Sequence, residues 1–238
     1  MFLLLSVCFR AHDLLTDFLV RYMVTLKRLI LVGAHLLIAG VFFPELRLQY
    51  GSLAFNVLLA LLFLSPIAKI LRMRLLLIAM GYRRQIGILM AYLAIVHSVG
   101  YLIDPAWFDV FLRPYLTSNI WRMQPQFLGG VIALVFTLPL LFTSNNLSTQ
   151  VLGKNWKRVH FLVYPLFVSA TVHKFTAARG FENTSSLVDA ALLIALYILL
   201  KWWAYRGLPE LVGRIPEMIA LKYREYSESK LIVSKSSK

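Results

Sequence analysis

The stretch RVHFLVYPLFVSATVHKF, residues 158–175, decides the fold class of this chain. It is mostly apolar, it begins at a basic residue, and it holds two histidines, His160 and His173, thirteen residues apart. Ionisable side chains are rare inside bilayer-spanning helices, so each one is a functional hypothesis by default. Thirteen residues rise about 19 to 20 Å along a helix. Because histidine is the usual axial ligand of haem iron, the spacing suits two redox centres stacked across a membrane.

The composition predicts an integral membrane protein. Of the 238 residues 59% are hydrophobic and only 15% are charged, and the mean hydropathy is +0.71, whereas soluble domains are about 45–50% apolar and about 25% charged. The single cysteine, Cys8, excludes an intrachain disulfide and a site built from several cysteines. The net charge of +14 does not indicate nucleic-acid binding, because the basic residues separate apolar segments and form no stripe on a soluble face.

Six apolar segments predict an all-α integral membrane protein, a bundle of six transmembrane helices. The segments are residues 29–43, 51–68, 85–103, 127–142, 159–175 and 187–204. Three regions follow from them: an amphipathic or cytoplasmic N-terminal segment (1–28), a transmembrane haem domain (29–205) and a cytoplasmic C-terminal tail (206–238). Only about 34 residues follow the sixth segment, too few for a nicotinamide-binding domain.

The basic residues set the predicted orientation. With six spans both termini lie on one side, and 20 of the 25 lysines and arginines fall on that side. The opposite side has five basic and five acidic residues. The positive-inside rule therefore predicts cytoplasmic termini and, in a bacterium, a multi-pass protein of the inner membrane.

Depth along the helices predicts which histidines can pair. His97 is thirteen residues beyond Arg84 and His173 is fifteen beyond Arg158, so both lie about 20 Å from the cytoplasmic side. They are the natural bis-histidine pair for one haem. His160 lies near the cytoplasmic interface with no histidine opposite it. His35 is the only other intramembrane candidate and a possible additional ligand. The sequence therefore leaves the number of haems, one or two, undecided.

Three further motifs support a family resemblance. MGYRRQIGILMAYLAIVHSVGYL (80–102), LRPYLT (112–117) and LGKNWKRVHFLVYPLFVSATVHKF (152–175) occur in this order. Together they resemble the ferric-reductase-like transmembrane domain. More narrowly, the chain resembles the MsrQ/YedZ family, the haem-binding membrane subunits of the bacterial methionine-sulfoxide reductase system. SPIAKI (65–70) fits the same pattern.

The resemblance implies one or two b-type haems on His97, His160 and His173. It implies electron transfer from a cytoplasmic flavin reductase or from membrane quinol to a periplasmic reductase that contains molybdopterin and repairs oxidised methionine. FMN and quinone are the other cofactors that it leaves open. Five basic side chains are candidates for contacts with a flavin or with haem propionates: Arg83, Arg84, Lys154, Lys157 and Arg158.

Two alternatives remain beside this interpretation. A stand-alone cytochrome b that reduces a metal ion or a quinone would share the haem and differ only in its acceptor. A proton-coupled transporter with histidine relays would need carboxylates deep within the spans, and none of the six segments has one there. The sequence predicts an electron carrier without its own nicotinamide-binding or substrate-reducing domain.

Overall fold

The structure, a computed structural model, describes residues 2–109, 113, 125–179 and 184–206. These residues form helices and connections, with no strand among them, which confirms the all-α prediction. The motif at 112–117, apart from Arg113, lies outside the described residues. So does the predicted tail after residue 206, and the proposed division into three regions stays a prediction.

The first half of the chain contains five long or medium helices. They are α1 (Phe2–Arg21), α2 (Met23–Leu36), α3 (Arg47–Leu71), α4 (Arg74–Met80) and α5 (Arg83–Leu102). The 3₁₀ turns Leu37–Phe42 and Pro44–Leu46 connect α2 to α3. Helix α1 packs on α4 and also contacts α2.

The described residues of the second half form short and long helices. They are α6 (Pro105–Trp107), α7 (Pro125–Phe142), α8 (Asn146–Leu152), α9 (Lys154–His160), α10 (Val163–Arg179) and α11 (Thr184–Arg206). Asp104 caps α6 by accepting a hydrogen bond from the main-chain nitrogen of Ala106 at 3.1 Å, and Asn145 caps α8 in the same way.

Four helices in the described part of the chain are long and apolar enough to cross a membrane: Met23–Phe42, Arg47–Leu71, Arg83–Leu102 and Thr184–Tyr205. A fifth span results if α7 and α8 are taken together, although they meet at 90°. Helix α10 has 17 residues, at the short end of the range for a spanning helix. The protein is therefore a multi-pass helical membrane protein, and the count of six spans stays a prediction.

The long helices pack in two antiparallel pairs, α3 with α5 and α7 with α10, and α11 covers α10 and α3. Their shared core is apolar: Leu58, Leu62, Met90, Leu140, Leu166, Phe167 and Tyr197. The outside of α11 exposes equally apolar side chains, such as Leu192 at 63% and Leu199 at 62%. An apolar exterior of this kind is expected where helices face lipid.

The structure divides the predicted span 159–175 into two helices. Helix α9 ends at His160 and α10 begins at Val163, so His160 and His173 do not share a helix. Pro165 is the third residue of α10, in the first turn, where a missing main-chain N–H breaks no hydrogen bond within the helix. The connecting residues close shorter turns, with Leu162 N bonded to Val159 O at 3.0 Å.

Candidate haem site

His97 lies on α5 and its ring packs against the first turn of α3. Its Nδ1 lies 2.7 Å from the main-chain carbonyl oxygen of Arg47. Because a carbonyl only accepts, Nδ1 carries the hydrogen and Nε2 keeps its lone pair. One turn further along α3, Gly51 faces the ring, and a Cβ there would lie 2.6 Å from two ring atoms. The start of α3 therefore holds His97 in one orientation with Nε2 free to bind a metal.

His173 lies on α10 and packs against two consecutive glycines of α7. A Cβ on Gly130 would lie 3.1 Å from two atoms of the His173 ring, and a Cβ on Gly129 would lie 3.4 Å from its Cβ. The same Gly129 position would be 3.2 Å from the main-chain oxygen of Ser169. Helices approach closely where side chains are this small. The glycine pair therefore lets α7 lie directly against the histidine.

The structure brings His97 and His173 together. Their ring centroids are 6.2 Å apart, with 59° between the ring planes. A metal ion that binds one nitrogen of each imidazole at about 2.0 Å separates the centroids by about 6 Å, because each nitrogen is about 1 Å from its ring centre. The observed separation is therefore compatible with both imidazoles binding one ion.

Both histidines line the same cavity, which has a volume of about 550 Å³. Ligand sites of 300 to 1,000 Å³ with apolar walls and a few placed polar groups are typical of cofactor pockets. Small side chains form much of its wall, among them Gly51, Ala54, Ala94, Gly130, Ala133 and Ala170. A flat, largely apolar group needs such walls, because large side chains would occupy the space between the helices.

Positive charge is placed at the end of the cavity where α5 ends. Lys174, next to His173, lines the cavity and its Nζ donates to Ser52 Oγ at 2.7 Å. Arg47 Nη1 donates to Asp104 Oδ2 at 2.6 Å, and both side chains are largely buried. The hydrogen bond from Arg47 lowers the pKa of the Asp104 carboxyl below its ordinary value, so the two form an ion pair at neutral pH.

These residues fit a bis-histidine haem. One nitrogen from each histidine could hold the iron of such a group, which would supply one-electron redox chemistry. The fit rests on three features: the two neighbouring rings, the hydrogen bond that fixes His97, and the glycines beside the rings, whose lack of a Cβ leaves space there.

His160 stands apart from this cavity, which it does not line. Its ring stacks on Trp156 with centroids 3.9 Å apart. Its Nε2 lies 3.3 Å from Thr143 Oγ1, and Trp156 Nε1 donates to the carbonyl oxygen of Thr143 at 2.9 Å. The three side chains join α9 to the end of α7, so His160 belongs to a separate, half-buried cluster.

His35 is not among the residues that line the cavity either. It is exposed on α2, where its Nδ1 donates to the main-chain oxygen of Leu31 at 2.7 Å. Its ring lies 5.1 Å from the ring of Tyr92 on α5. The structure therefore gives His35 no partner histidine.

The five predicted basic contacts divide into two groups. Arg83 donates to Ser65 Oγ and Arg84 to Asn146 Oδ1, each at 2.6 Å, which ties the start of α5 to α3 and α8. The other three are exposed on α9: Lys154, Lys157 and Arg158. All five lie at the end of the bundle that also holds His160, opposite to the end with Arg47 and Lys174.

Sequence reasoning missed the side chains that surround the histidines. Gly51, Gly130 and the pair Arg47–Asp104 were not among the candidate site residues. The consecutive glycines at 129 and 130 within an apolar segment are a signal of close helix packing. Two oppositely charged residues at the same predicted end of neighbouring spans are a weaker signal of an ion pair.

Comparison with known proteins shows to which family the chain is similar. The family model described as "Ferric reductase like transmembrane component" matches residues 48–171, just over half of the chain. The match includes His97 and His160 and ends two residues before His173. No solved structure matches the chain.

Curated relatives support the narrower resemblance. Proteins named protein-methionine-sulfoxide reductase heme-binding subunit MsrQ, from Brucella ovis, Brucella abortus and Brucella anthropi, are 28% identical to the chain over 155 residues. The matched region covers 62% of this chain and 63% of each relative, so the chain spans less than two thirds of the length of these relatives. They confirm the resemblance to MsrQ that the motifs indicated. With its family model matched over residues 48–171, the chain belongs to the ferric-reductase-like transmembrane family.

Proposed function

We propose that this protein is a haem b subunit that carries electrons across a bacterial inner membrane. The observation that carries the proposal is the facing pair His97 and His173, 6.2 Å apart in a cavity of about 550 Å³. His97 and His173 would hold the iron of a haem in this cavity, and the group would supply one-electron redox chemistry there. Because both histidines would bind the iron, the site suits electron transfer better than oxygen binding.

The chain's own residues have distinct parts in this proposal. His97 and His173 bind the iron, and the glycines that face them leave room for the porphyrin. The apolar walls exclude water. Lys174, held by Ser52 at the cavity wall, supplies a positive charge that suits a haem propionate.

Electron entry is proposed at the opposite end of the bundle, near His160. Three exposed bases on α9 lie there, and Arg83 and Arg84 begin α5. Guanidinium and ammonium groups bind phosphate, so a flavin such as FMN, delivered by a cytoplasmic flavin reductase, fits this surface. Membrane quinol is the other donor. The excess of basic residues supports a cytoplasmic location for this end and for both termini.

The acceptor is proposed to be a periplasmic reductase that contains molybdopterin and acts on oxidised methionine. The support is the name of the curated relatives, which identifies them as heme-binding subunits of a protein-methionine-sulfoxide reductase. A stand-alone cytochrome b that reduces a metal ion or a quinone would use the same pair of histidines. A co-purifying reductase distinguishes the two.

A proton-coupled transporter is less consistent with the described residues. Relays of this kind need carboxylates within the spans. The acidic side chains in the described part of the chain lie on α1, in connections or near a helix start: Asp13, Asp17, Glu45, Asp104, Asp109 and Asp189. Among these described acidic residues, only Asp189, the sixth residue of α11, lies within a helix long and apolar enough to cross a membrane, so a relay along the described spans would have a single carboxylate.

Electron transfer across a membrane tests the proposal. The haem-loaded protein is reconstituted into vesicles that contain ferricyanide, and a flavin reductase with NADPH and FMN, or a quinol, is added outside. We expect ferricyanide inside to be reduced, and His97→Ala, matched with His12→Ala as control, to abolish the reaction. Haem-loaded wild-type protein that transfers no electrons from either donor would refute the proposal.

A further inference from the structure

Arg47 acts on His97 in two ways, through its main chain and through its charge. Its carbonyl accepts the Nδ1–H of His97 at 2.7 Å. Its guanidinium donates to Asp104 at 2.6 Å and lies over the ring of Tyr101, with 4.7 Å from Cζ to the ring centroid. Tyr101 in turn contacts His97 edge-on, at 5.2 Å between ring centroids.

The ion pair fixes the position of this carbonyl. Arg47 is the first residue of α3, and Asp104 lies two residues beyond the end of α5, the helix that carries His97. Asp104 is itself held by the hydrogen bond that it accepts from Ala106 N. The pair therefore ties the start of α3 to the end of α5 beside the cavity, and so sets the distance between the Arg47 carbonyl and His97.

We propose that the Arg47–Asp104 pair is a positioning device that sets the reduction potential of the haem on His97 and His173. This inference rests on the proposed haem site. Partners outside the coordination shell orient histidine ligands and tune the metal. A charge beside the site that is only partly exposed adds a direct effect, because water screens it less than it screens a fully exposed charge. Arg47 favours the ferrous state, which carries one positive charge fewer, and Asp104 offsets this influence.

The two members of the pair therefore predict shifts of opposite sign. Asp104→Asn leaves the positive charge of Arg47 unopposed, so the midpoint potential rises. Arg47→Gln leaves the negative charge of Asp104 unopposed, so the midpoint potential falls. Arg47→Lys keeps the charge and returns the potential towards the wild-type value. Damage to the packing would instead admit water in both variants and move the potential in the same direction.

A second ion pair provides a matched control. Arg113 and Asp109 are 3.0 Å apart, shortly after α6, and their side chains are 62% and 50% exposed. The side chains of Arg47 and Asp104 are 21% and 25% exposed. Exposed charges are screened by water and salt. Arg113→Gln and Asp109→Asn should therefore leave the potential near that of the wild type.

The experiment is a spectroelectrochemical titration of the haem in purified full-length variants. The expected result is a positive shift for Asp104→Asn, a negative shift for Arg47→Gln and no comparable shift in the control pair. Shifts of the same sign, or none, overturn the inference while the haem site stands. If the Arg47→Gln variant binds no haem, the shift of the midpoint potential in Asp104→Asn is the deciding result. A shift that is not positive then overturns the inference. A wild-type protein that binds no haem refutes the proposed function instead.

Discussion

Gly51 on α3 faces the ring of His97 on α5 so closely that a Cβ at position 51 would lie 2.6 Å from the ring's Cε1 and Nδ1. The contact leaves no room for any other residue type unless the ring moves. It also lies one helical turn from Arg47, whose carbonyl bonds the same ring. The orientation of the proposed haem ligand therefore depends on a glycine in a different helix.

Gly51→Ala should reduce haem occupancy and stability. The added methyl displaces the His97 ring from its hydrogen bond, and overpacking of this kind costs about 1 to 3 kcal/mol. Gly130→Ala should have a smaller effect, because a Cβ there would be 3.1 Å from the His173 ring. The measurements are the haem content per protein by the pyridine haemochrome assay and the thermal stability in detergent.

Gly33→Ala is the control for both variants, because a Cβ at position 33 meets no atom within 4 Å. It should be neutral or slightly stabilising, as glycine within a helix costs up to about 1 kcal/mol relative to alanine. Equal haem loss in the three variants would show that the contact between position 51 and His97 does not determine the haem content.

His160→Ala should leave the haem on His97 and His173 in place. The structure puts His160 in a cluster with Trp156 and Thr143, away from the cavity. Its removal should affect only an inner cofactor, whether a second haem or a flavin. Optical difference spectra of the wild type and of the variant test this. Loss of the same spectral species in His160→Ala and in His97→Ala would show that the pairing is wrong.

The depth argument shows how much of the site can be predicted from the sequence. Counting from Arg84 and Arg158 placed His97 and His173 at equal depth, because the rise per residue of a helix is constant. Their rings are 6.2 Å apart in the structure. The same counting treated 159–175 as one helix, and it could not locate the break at Phe161 and Leu162. A proline signals a local interruption, but the neighbouring packing decides where the helix starts.

The glycine and arginine contacts were beyond sequence reasoning for a different reason. Gly51 is 46 positions from His97, and no periodicity along one helix shows which residue of another helix faces it. Arg47 acts on His97 through its main chain, which every residue type shares. Such contacts depend on how the helices pack together, and only the folded structure reveals them.

Substitution of Arg83 and Arg84 should slow the reduction of the haem by flavin and leave its absorption spectrum unchanged. Both arginines lie at the end of the bundle that holds His160 and the bases of α9, where they would attract the flavin phosphate. We expect Arg83→Ala/Arg84→Ala to lower the stopped-flow rate with a flavin reductase, and added salt to reduce the wild-type rate as well.

Arg74→Ala is the matched control, since Arg74 is an exposed base that pairs only loosely with Asp17, at 3.5 Å. An unchanged rate in the double variant would remove these arginines from the flavin site. NADPH alone should not reduce the haem of any variant. Rapid reduction by NADPH alone would contradict the role of a carrier between partners.

The central claim is that His97 and His173 bind the same haem, and the haem content of a double variant tests it most directly. Haem per protein is measured by the pyridine haemochrome assay in wild type, His97→Ala, His173→Ala and the double variant, each expressed with excess haem. Because the loss of either axial ligand destroys one shared site, the account predicts that the double variant loses no more haem than each single variant. A double variant that loses twice as much haem as either single variant would show that the two histidines bind different haems and would contradict the account.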